Sequence, residues 1–290
     1  MIRKAHFKIS NVRGIMLKRP LGIVGGVLIL GMVLISVFAP LLTPYDPLEI
    51  DPAQPLSPPS SLHPLGTDHL GRDILSRTAY GGRISLGIGS MVVILGASLG
   101  GITGLLSAYR GGIVDTILQR IVDSLLAFPT LLLALVLIVA WEPSVTTLVL
   151  SIGVTQAPWM ARIVRSVALA VIVTDYVQAA AALGCSPSRV IVFHILPQCV
   201  APFLVVSTAG LGAAIVLEAS LSFLGLGVQP PTPSWGGMLS GSARDYARAA
   251  PWMVLTPGVA LSLTVYGVNL LGDTLRDMMD PRIRNFHHSA

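Results

Sequence analysis

A chain of 290 residues is long enough for one or two folded units, but 53% of it is hydrophobic and 11% charged. Soluble domains carry roughly a quarter charged residues, so a water-surrounded globule is excluded. The formal charge of +5 does not mark a nucleic-acid binder, because the basic residues form no aromatic-interleaved patch and stand in short segments between apolar runs.

The first 20 residues hold six lysines and arginines and read as a cytoplasmic segment. The apolar run that follows, Leu21 to Leu42, is longer than the roughly 7–15 residue core of a cleavable signal, and Pro40 after Ala39 suits cleavage badly. It is read as a retained first transmembrane helix. Crossing about 30 Å of hydrocarbon takes roughly 20 apolar residues. Five further stretches approach that length: Ile84 to Ala108, Ser124 to Trp141, Val145 to Ala161, Cys199 to Phe223 and Trp252 to Leu271. The fourth is short and contains Gln156 and Pro158; the fifth contains Glu218. The expectation is an all-α, polytopic membrane protein with six transmembrane helices. Residues 43–83 form an outer segment, 84–272 a five-helix core and 273–290 a tail.

Lysine and arginine flanking the spans are retained on the cytoplasmic side. With the N-terminus inside, the inner segments hold fourteen of the nineteen, among them Arg110, Arg120, Arg162, Arg165 and Arg189. Arg72, Arg77, Arg83, Arg244 and Arg248 remain outside, so both termini are expected in the cytoplasm. Cys185 and Cys199 then fall in or beside a reducing inner loop and lack metal-ligand spacing, so neither a disulfide nor a zinc site is predicted.

The outer segment crowds His63, Asp68, His69 and Asp73 around the run GTDHLGRD, Gly66 to Asp73. Such groups can bind a divalent ion. The glycines imply tight turns, however, and the favoured reading pairs Asp68 or Asp73 with Arg72 or Arg77, or uses one to cap the helix entering the second span. No metal site is predicted. Within that span Gly87, Gly89, Gly96, Gly100, Gly101 and Gly104 offer a small-residue face for close packing, inside the chain or against another subunit.

Between the fourth and fifth spans lies TDYVQAAAALGCSPSRVIVFHILPQ, Thr174 to Gln198. Asp175 suits the cap of a first helix with Gln178 three residues on, and Gly184 suits a left-handed stop. Ser186 then caps and Pro187 opens a second helix, which Pro197 is expected to end. Val190, Ile191, Phe193 and Ile195 make the second helix apolar enough to enter a groove on another protein. In the outer stretch 224–251, Ser234 suits the cap of a short helix carrying Trp235, Met238, Leu239 and Tyr246, with aromatic groups near the headgroups.

The 174–198 segment resembles the coupling motif of binding-protein-dependent permeases of ATP-binding cassette importers. The matching positions are Ala179, Ala180, Gly184, Ile195, Leu196 and Pro197, with Gln178 where the family has glutamate, so an ion pair made there is not carried over. Further runs resemble the dipeptide, oligopeptide and nickel branch, specifically its second permease subunit: HPLGTDHLGRDILSRTAYGGRISLGIG from His63, AFPTLLLAL from Ala127, EASLSFLGLGVQPPTPSWGGML from Glu218 and NLLGDTLRDMMDPR from Asn269.

The resemblance implies the type I importer permease fold in a bacterial plasma membrane. Gln178, Ala179, Ala180, Gly184, Ser186, Pro187, Arg189, His194, Leu196 and Pro197 would then couple to an ATPase. It also implies a homologous permease as partner, two ATPase subunits that use ATP and Mg, and an extracytoplasmic binding protein that delivers substrate. The chain itself is expected to bind lipid but no metal, cofactor or nucleic acid. Its three lysines, Lys4, Lys8 and Lys18, all precede the first span and none follows glycine, so it has no P-loop.

Asp68, Arg72, Asp73, Glu218, Ser220 and Ser222 are candidates for the pathway or its outer gate. A carboxylate in hydrocarbon is costly and faces a cavity or a partner group, so Glu218 either lines the path, sits paired at a subunit seam or reaches interfacial water. Peptide is the expected substrate, with nickel or another small solute as the alternative. A stand-alone secondary transporter is disfavoured by one candidate acid and no obvious internal repeat.

Overall fold

The computed structural model describes residues 20–279. The basic segment before Pro20 and the end of the tail from position 280 lie outside the described residues. In chain order, α1 (Pro20–Val37) and one-turn α2 (Ala39–Leu42) precede a long loop. Then follow α3 (Ile74–Arg110), α4 (Gly112–Leu126), α5 (Thr130–Trp141) and α6 (Val145–Ile172). A knuckle comes next, built of α7 (Asp175–Ala182), α8 (Pro187–Val190) and a π turn over Ile191–Ile195. It feeds α9 (Leu196–Phe223), and two short helices, α10 (Trp235–Leu239) and α11 (Ser242–Asp245), lead to α12 (Trp252–Met279). Among the described residues there is no strand, only one isolated bridge between Thr67 and Asp73. Five helical runs are long and apolar enough to cross a membrane, or six if α4 and α5, bent by 94°, count as one span.

Several spans differ from the sequence expectation, each for a local reason. The second begins at Ile74, not Ile84, because Asp73 caps it there by accepting from the Ser76 amide at 2.7 Å. The third breaks at Phe128, because Pro129 has no N–H to donate and disfavours helical geometry in the residue before it. The fourth continues past Ala161 through Arg162 and Arg165 to Ile172, since both arginines find carboxylates on α4. The sixth runs to Met279, so residues 273–279 are helix rather than tail. Pro197 does not end the second knuckle helix. It sits in the first turn of α9, where a missing N–H is no loss, and the wide π turn lets the chain run on into the span.

The glycine face of α3 is an internal seam. A Cβ on Gly100 would stand 2.3 Å from the Ala157 carbonyl oxygen, and one on Gly104 2.5 Å from that of Ala161, so α3 and α6 touch backbone to backbone. Gly89 receives Ile215 of α9, while Gly87 faces open space. On the other flank α1 lies against α12, with Gly25 beside the Gly267 carbonyl, and leaves most of its own side chains outward. Two apolar clusters stack along the bundle. Ile88, Val92, Ile138, Leu148, Ile152 and Leu221 fill the end near the long loop. Met160, Val164, Val177, Val190 and Ile195 fill the knuckle end.

Candidate functional site

The knuckle is held by backbone chemistry at its corner and by apolar anchors underneath. Thr174, rather than Asp175, occupies the N-cap position of α7, and no side chain caps it. Asp175 stands in the first turn, where its charge favours the helix dipole. Gln178 donates its amide to the Val173 carbonyl at 3.4 Å. At the corner Gly184 takes φ +83°. Its N–H reaches the Ala181 carbonyl at 3.0 Å and that of Cys185 the Ala180 carbonyl at 3.1 Å, the paired bonds of a Schellman stop. Ser186 holds the cap backbone of α8, but its hydroxyl makes no cap bond, and Pro187 opens the helix.

Val177, Val190 and Ile195 are buried against α3, α6 and α9. Val190 and Ile195, expected to enter a partner's groove, are therefore used inside this chain. The apolar surface presented outward includes Tyr176, Leu183, Val192 and Phe193, with Leu183 86% and Phe193 69% exposed. Gln178, Ala179, Gly184, Ser186, Pro187, Arg189, Leu196 and Pro197 are exposed around it, whereas Ala180 is buried. His194 is half-buried with its ring against Tyr176, centroids 6.3 Å apart, and its Nδ1 has no partner.

Next to the knuckle, α4 is clamped across α6. Arg165 donates Nε and Nη2 to the two oxygens of Asp115 at 2.7 and 2.6 Å, and Arg162 donates to Asp123 at 2.7 Å. Sequence reading counted these arginines as loop charges and missed the partners. The signal was present in the spacing: the acids stand eight positions apart and the bases three, so each pair keeps to one helical face.

At the opposite end the outer candidates are fully engaged with one another. Asp68 accepts from Arg72 Nε at 2.6 Å and from the Leu70 and Arg72 amides, with Arg77 Nε 3.7 Å away. Arg77 also donates to the Pro47 carbonyl at 2.9 Å. Asp73 caps α3, accepts the Ser76 hydroxyl and meets His63 Nδ1 at 3.0 Å. His69 stands apart, its ring stacked on Tyr246 at 6.0 Å.

Glu218 is fully buried in α9, not on a cavity wall. Ser222 donates to it at 2.8 Å, and the Ser85 and Ser234 hydroxyls lie beside it. This is a seam where α10 fits between α3 and α9. Ser234 caps α10 as expected, accepting from the Gly237 amide at 3.1 Å. Trp235 is fully buried instead of lying near headgroups, its N–H donating to the Thr78 carbonyl at 2.9 Å.

Midway along α3, α6 and α9 lies a partly open cavity of about 710 Å³, to whose lining α5 and α12 also contribute. Its polar lining is Thr130, Thr155, Gln156, Ser207, Ser220 and Asn269 beside Trp159. Of the six outer-path candidates, Ser220 alone reaches it; Asp68, Arg72 and Asp73 lie in the loop and Glu218 and Ser222 in the seam.

Comparison with known proteins places this arrangement. Residues 98–285 match the family model described as binding-protein-dependent transport system inner membrane component. Residues 12–59 match the N-terminal TM domain of oligopeptide transport permease C. The dipeptide transport system permease protein DppC of Alkalihalophilus pseudofirmus is 42% identical over 92% of this chain and 88% of its own length. The DppC protein of Escherichia coli K12 is 43% identical over 90% of this chain and 89% of its own. Among solved structures, an inward-facing MetNI methionine ABC transporter chain is similar with a TM-score of 0.57 at 20% identity, covering 70% of this chain and 96% of that one.

Proposed function

The chain belongs to the binding-protein-dependent transport system inner membrane component family, and from that membership we propose that it is one permease subunit of an ATP-driven importer of short peptides. The observation that carries the substrate is the 42% identity to a dipeptide permease across 92% of the chain. A homologous permease completes the membrane unit, two ATPase subunits consume ATP and Mg below it, and a binding protein delivers peptide from outside. This chain supplies no phosphate-binding loop and performs no hydrolysis. It lies in the bacterial plasma membrane with both termini and the knuckle cytoplasmic.

The mechanism follows from how the knuckle is mounted. Tyr176, Leu183 and Phe193 offer an apolar contact to the ATPase, while Val177, Val190 and Ile195 lock the same segment into α3, α6 and α9. A displacement at the tip therefore passes to the cavity-lining helices through packed side chains and not through a loose loop. The π turn is where the knuckle joins α9 and where helical pitch changes. ATP binding biases inward- against outward-open states only by its differential affinity for the two.

The test is import and ATPase turnover by the reconstituted four-component complex in proteoliposomes, supplied with dipeptide or with nickel and the cognate binding protein. Dipeptide uptake coupled to stimulated ATP hydrolysis supports the reading. Nickel uptake without peptide uptake removes the peptide assignment, and uptake without any ATPase subunit removes the importer assignment.

A further inference from the structure

The cavity carries a chemical pattern that the function above does not specify. Among the described residues lining it none is charged, and its polar side chains carry two carboxamides, four hydroxyls and the Trp159 indole N–H. Gln156 reaches in from α6 and Asn269 from α12, on either side of α9. A Cβ on Gly210 would lie 3.3 Å from Gln156 Oε1, and one on Gly212 2.9 Å from Asn269 Oδ1, so these glycines make room for the two amides. Gln156 has one weak contact, Nε2 to the Gly210 carbonyl at 3.5 Å. Ser207 Oγ is buried with no partner. An unsatisfied buried hydroxyl is destabilising, and an arriving hydrogen-bond partner offsets that cost.

We infer that Gln156, Ser207 and Asn269 form a substrate subsite that binds the main-chain amide groups of a short peptide, independently of its side-chain charges. The inference rests on the peptide reading above and names where in this chain the peptide is held. A carboxamide presents an acceptor oxygen and two N–H donors, so it can pair with both the N–H and the C=O of a peptide unit, and two of them with a hydroxyl suit an extended backbone. A volume of about 710 Å³ falls within the range of small-ligand sites. Two other occupants fit the chemistry worse. A lipid tail leaves both amides and Ser207 unpaired, and a partner's helix has its own backbone groups already bonded internally. Thr130, Thr155 and Trp159 also line a second cavity of about 280 Å³ under the α4–α5 bend. The subsite therefore borders space that continues toward the knuckle end.

The experiment uses the assembled complex in proteoliposomes, with Cys185 and Cys199 replaced by alanine and retained peptide import as the control. Ser207→Cys and, separately, Gln156→Cys are reacted with a membrane-impermeant thiosulfonate, with and without a dialanine-loaded binding protein during turnover. With peptide at about ten times its Kd, mass action lowers the free-site fraction and hence the labelling rate about tenfold. The expected result is labelling from water at both positions, protected by dialanine and equally by lysyl-alanine and aspartyl-alanine. Labelling only by a lipophilic maleimide, cross-linking to the partner permease, or labelling that peptide does not slow overturns the inference. Protection by one charge class alone overturns main-chain recognition. If import by the control fails for every peptide, the peptide reading falls with it; if import proceeds without protection, this subsite alone falls.

Discussion

Substituting Gly184 probes the knuckle through its backbone alone. The residue sits at φ +83°, and a Cβ built there meets nothing within 4 Å, so steric crowding contributes nothing. An L-residue in the left-handed region costs roughly 1–2 kcal/mol, with asparagine tolerated best and β-branched residues worst. The buried anchors Val177 and Val190 on either side stay in place, so the strain falls on the corner. A shift of about 1–2 kcal/mol changes the ratio of formed to unformed corner about five- to thirty-fold. ATPase stimulation by the loaded binding protein is therefore expected to fall in the order Gly184→Asn, Gly184→Ala, Gly184→Val, with asparagine near the parent. Gly225 supplies the control, having the same φ of +83° and equally open surroundings at the opposite end of α9. The same series at Gly225 leaves coupling intact. Equal stimulation across the Gly184 series, or asparagine as damaging as valine, would refute a backbone-held corner as the coupling element.

At the α3–α6 seam, Gly100→Ala forces a methyl to within 2.3 Å of a backbone oxygen and is expected to cost about 1–3 kcal/mol. Gly87→Ala, with nothing within 4 Å, leaves the thermal midpoint in detergent unchanged or raises it. Asp73→Ala removes the cap of α3 and the His63 contact together. It should cost about 2 kcal/mol, read as a lower midpoint and faster proteolysis in residues 43–72. Burial holds the His69 imidazole below its ordinary 6.5, Asp68 opposing and Arg72 and Arg77 adding to that shift. The unfolded loop therefore takes up the proton first, so stability is complete above 6.5 and declines as pH falls through that value. His69→Gln flattens that slope in a thermal midpoint measured against pH.

Hydropathy located the spans but not their ends, and the reason lies in particular charges. Arg77 looked like a loop residue because an arginine interrupts an uncharged window. Its partners, Asp68 and the Pro47 carbonyl, lie in a loop whose fold no window contains. Arg162 and Arg165 misled in the same way, their acids standing on a helix forty to fifty residues earlier. The knuckle was legible because its determinants are local: a glycine that must turn left-handed and a proline that must open a helix. Which knuckle side chains face outward was not legible, since Val190 and Phe193 differ only in which tertiary neighbours they meet. Glu218 shows the same limit from the other direction. Its sequence context left the pathway, a subunit seam and interfacial water open, and three serines from three segments of this same chain place it in an internal seam instead.

The uncharged wall of the cavity also bears on the membrane potential. Moving one elementary charge through the field takes about 2.3 kcal/mol per 100 mV. With the Asp68–Arg72 and Asp115–Arg165 pairs lying outside the cavity, near opposite ends of α3, no formal charge belonging to its wall is carried across when the helices around it rearrange. On the peptide-import reading, a zwitterionic dipeptide adds no net charge, so this chain's share of the cavity wall is expected to add no dependence of the import rate on the potential. A cationic peptide instead gains that energy on entry, and an anionic one opposes it.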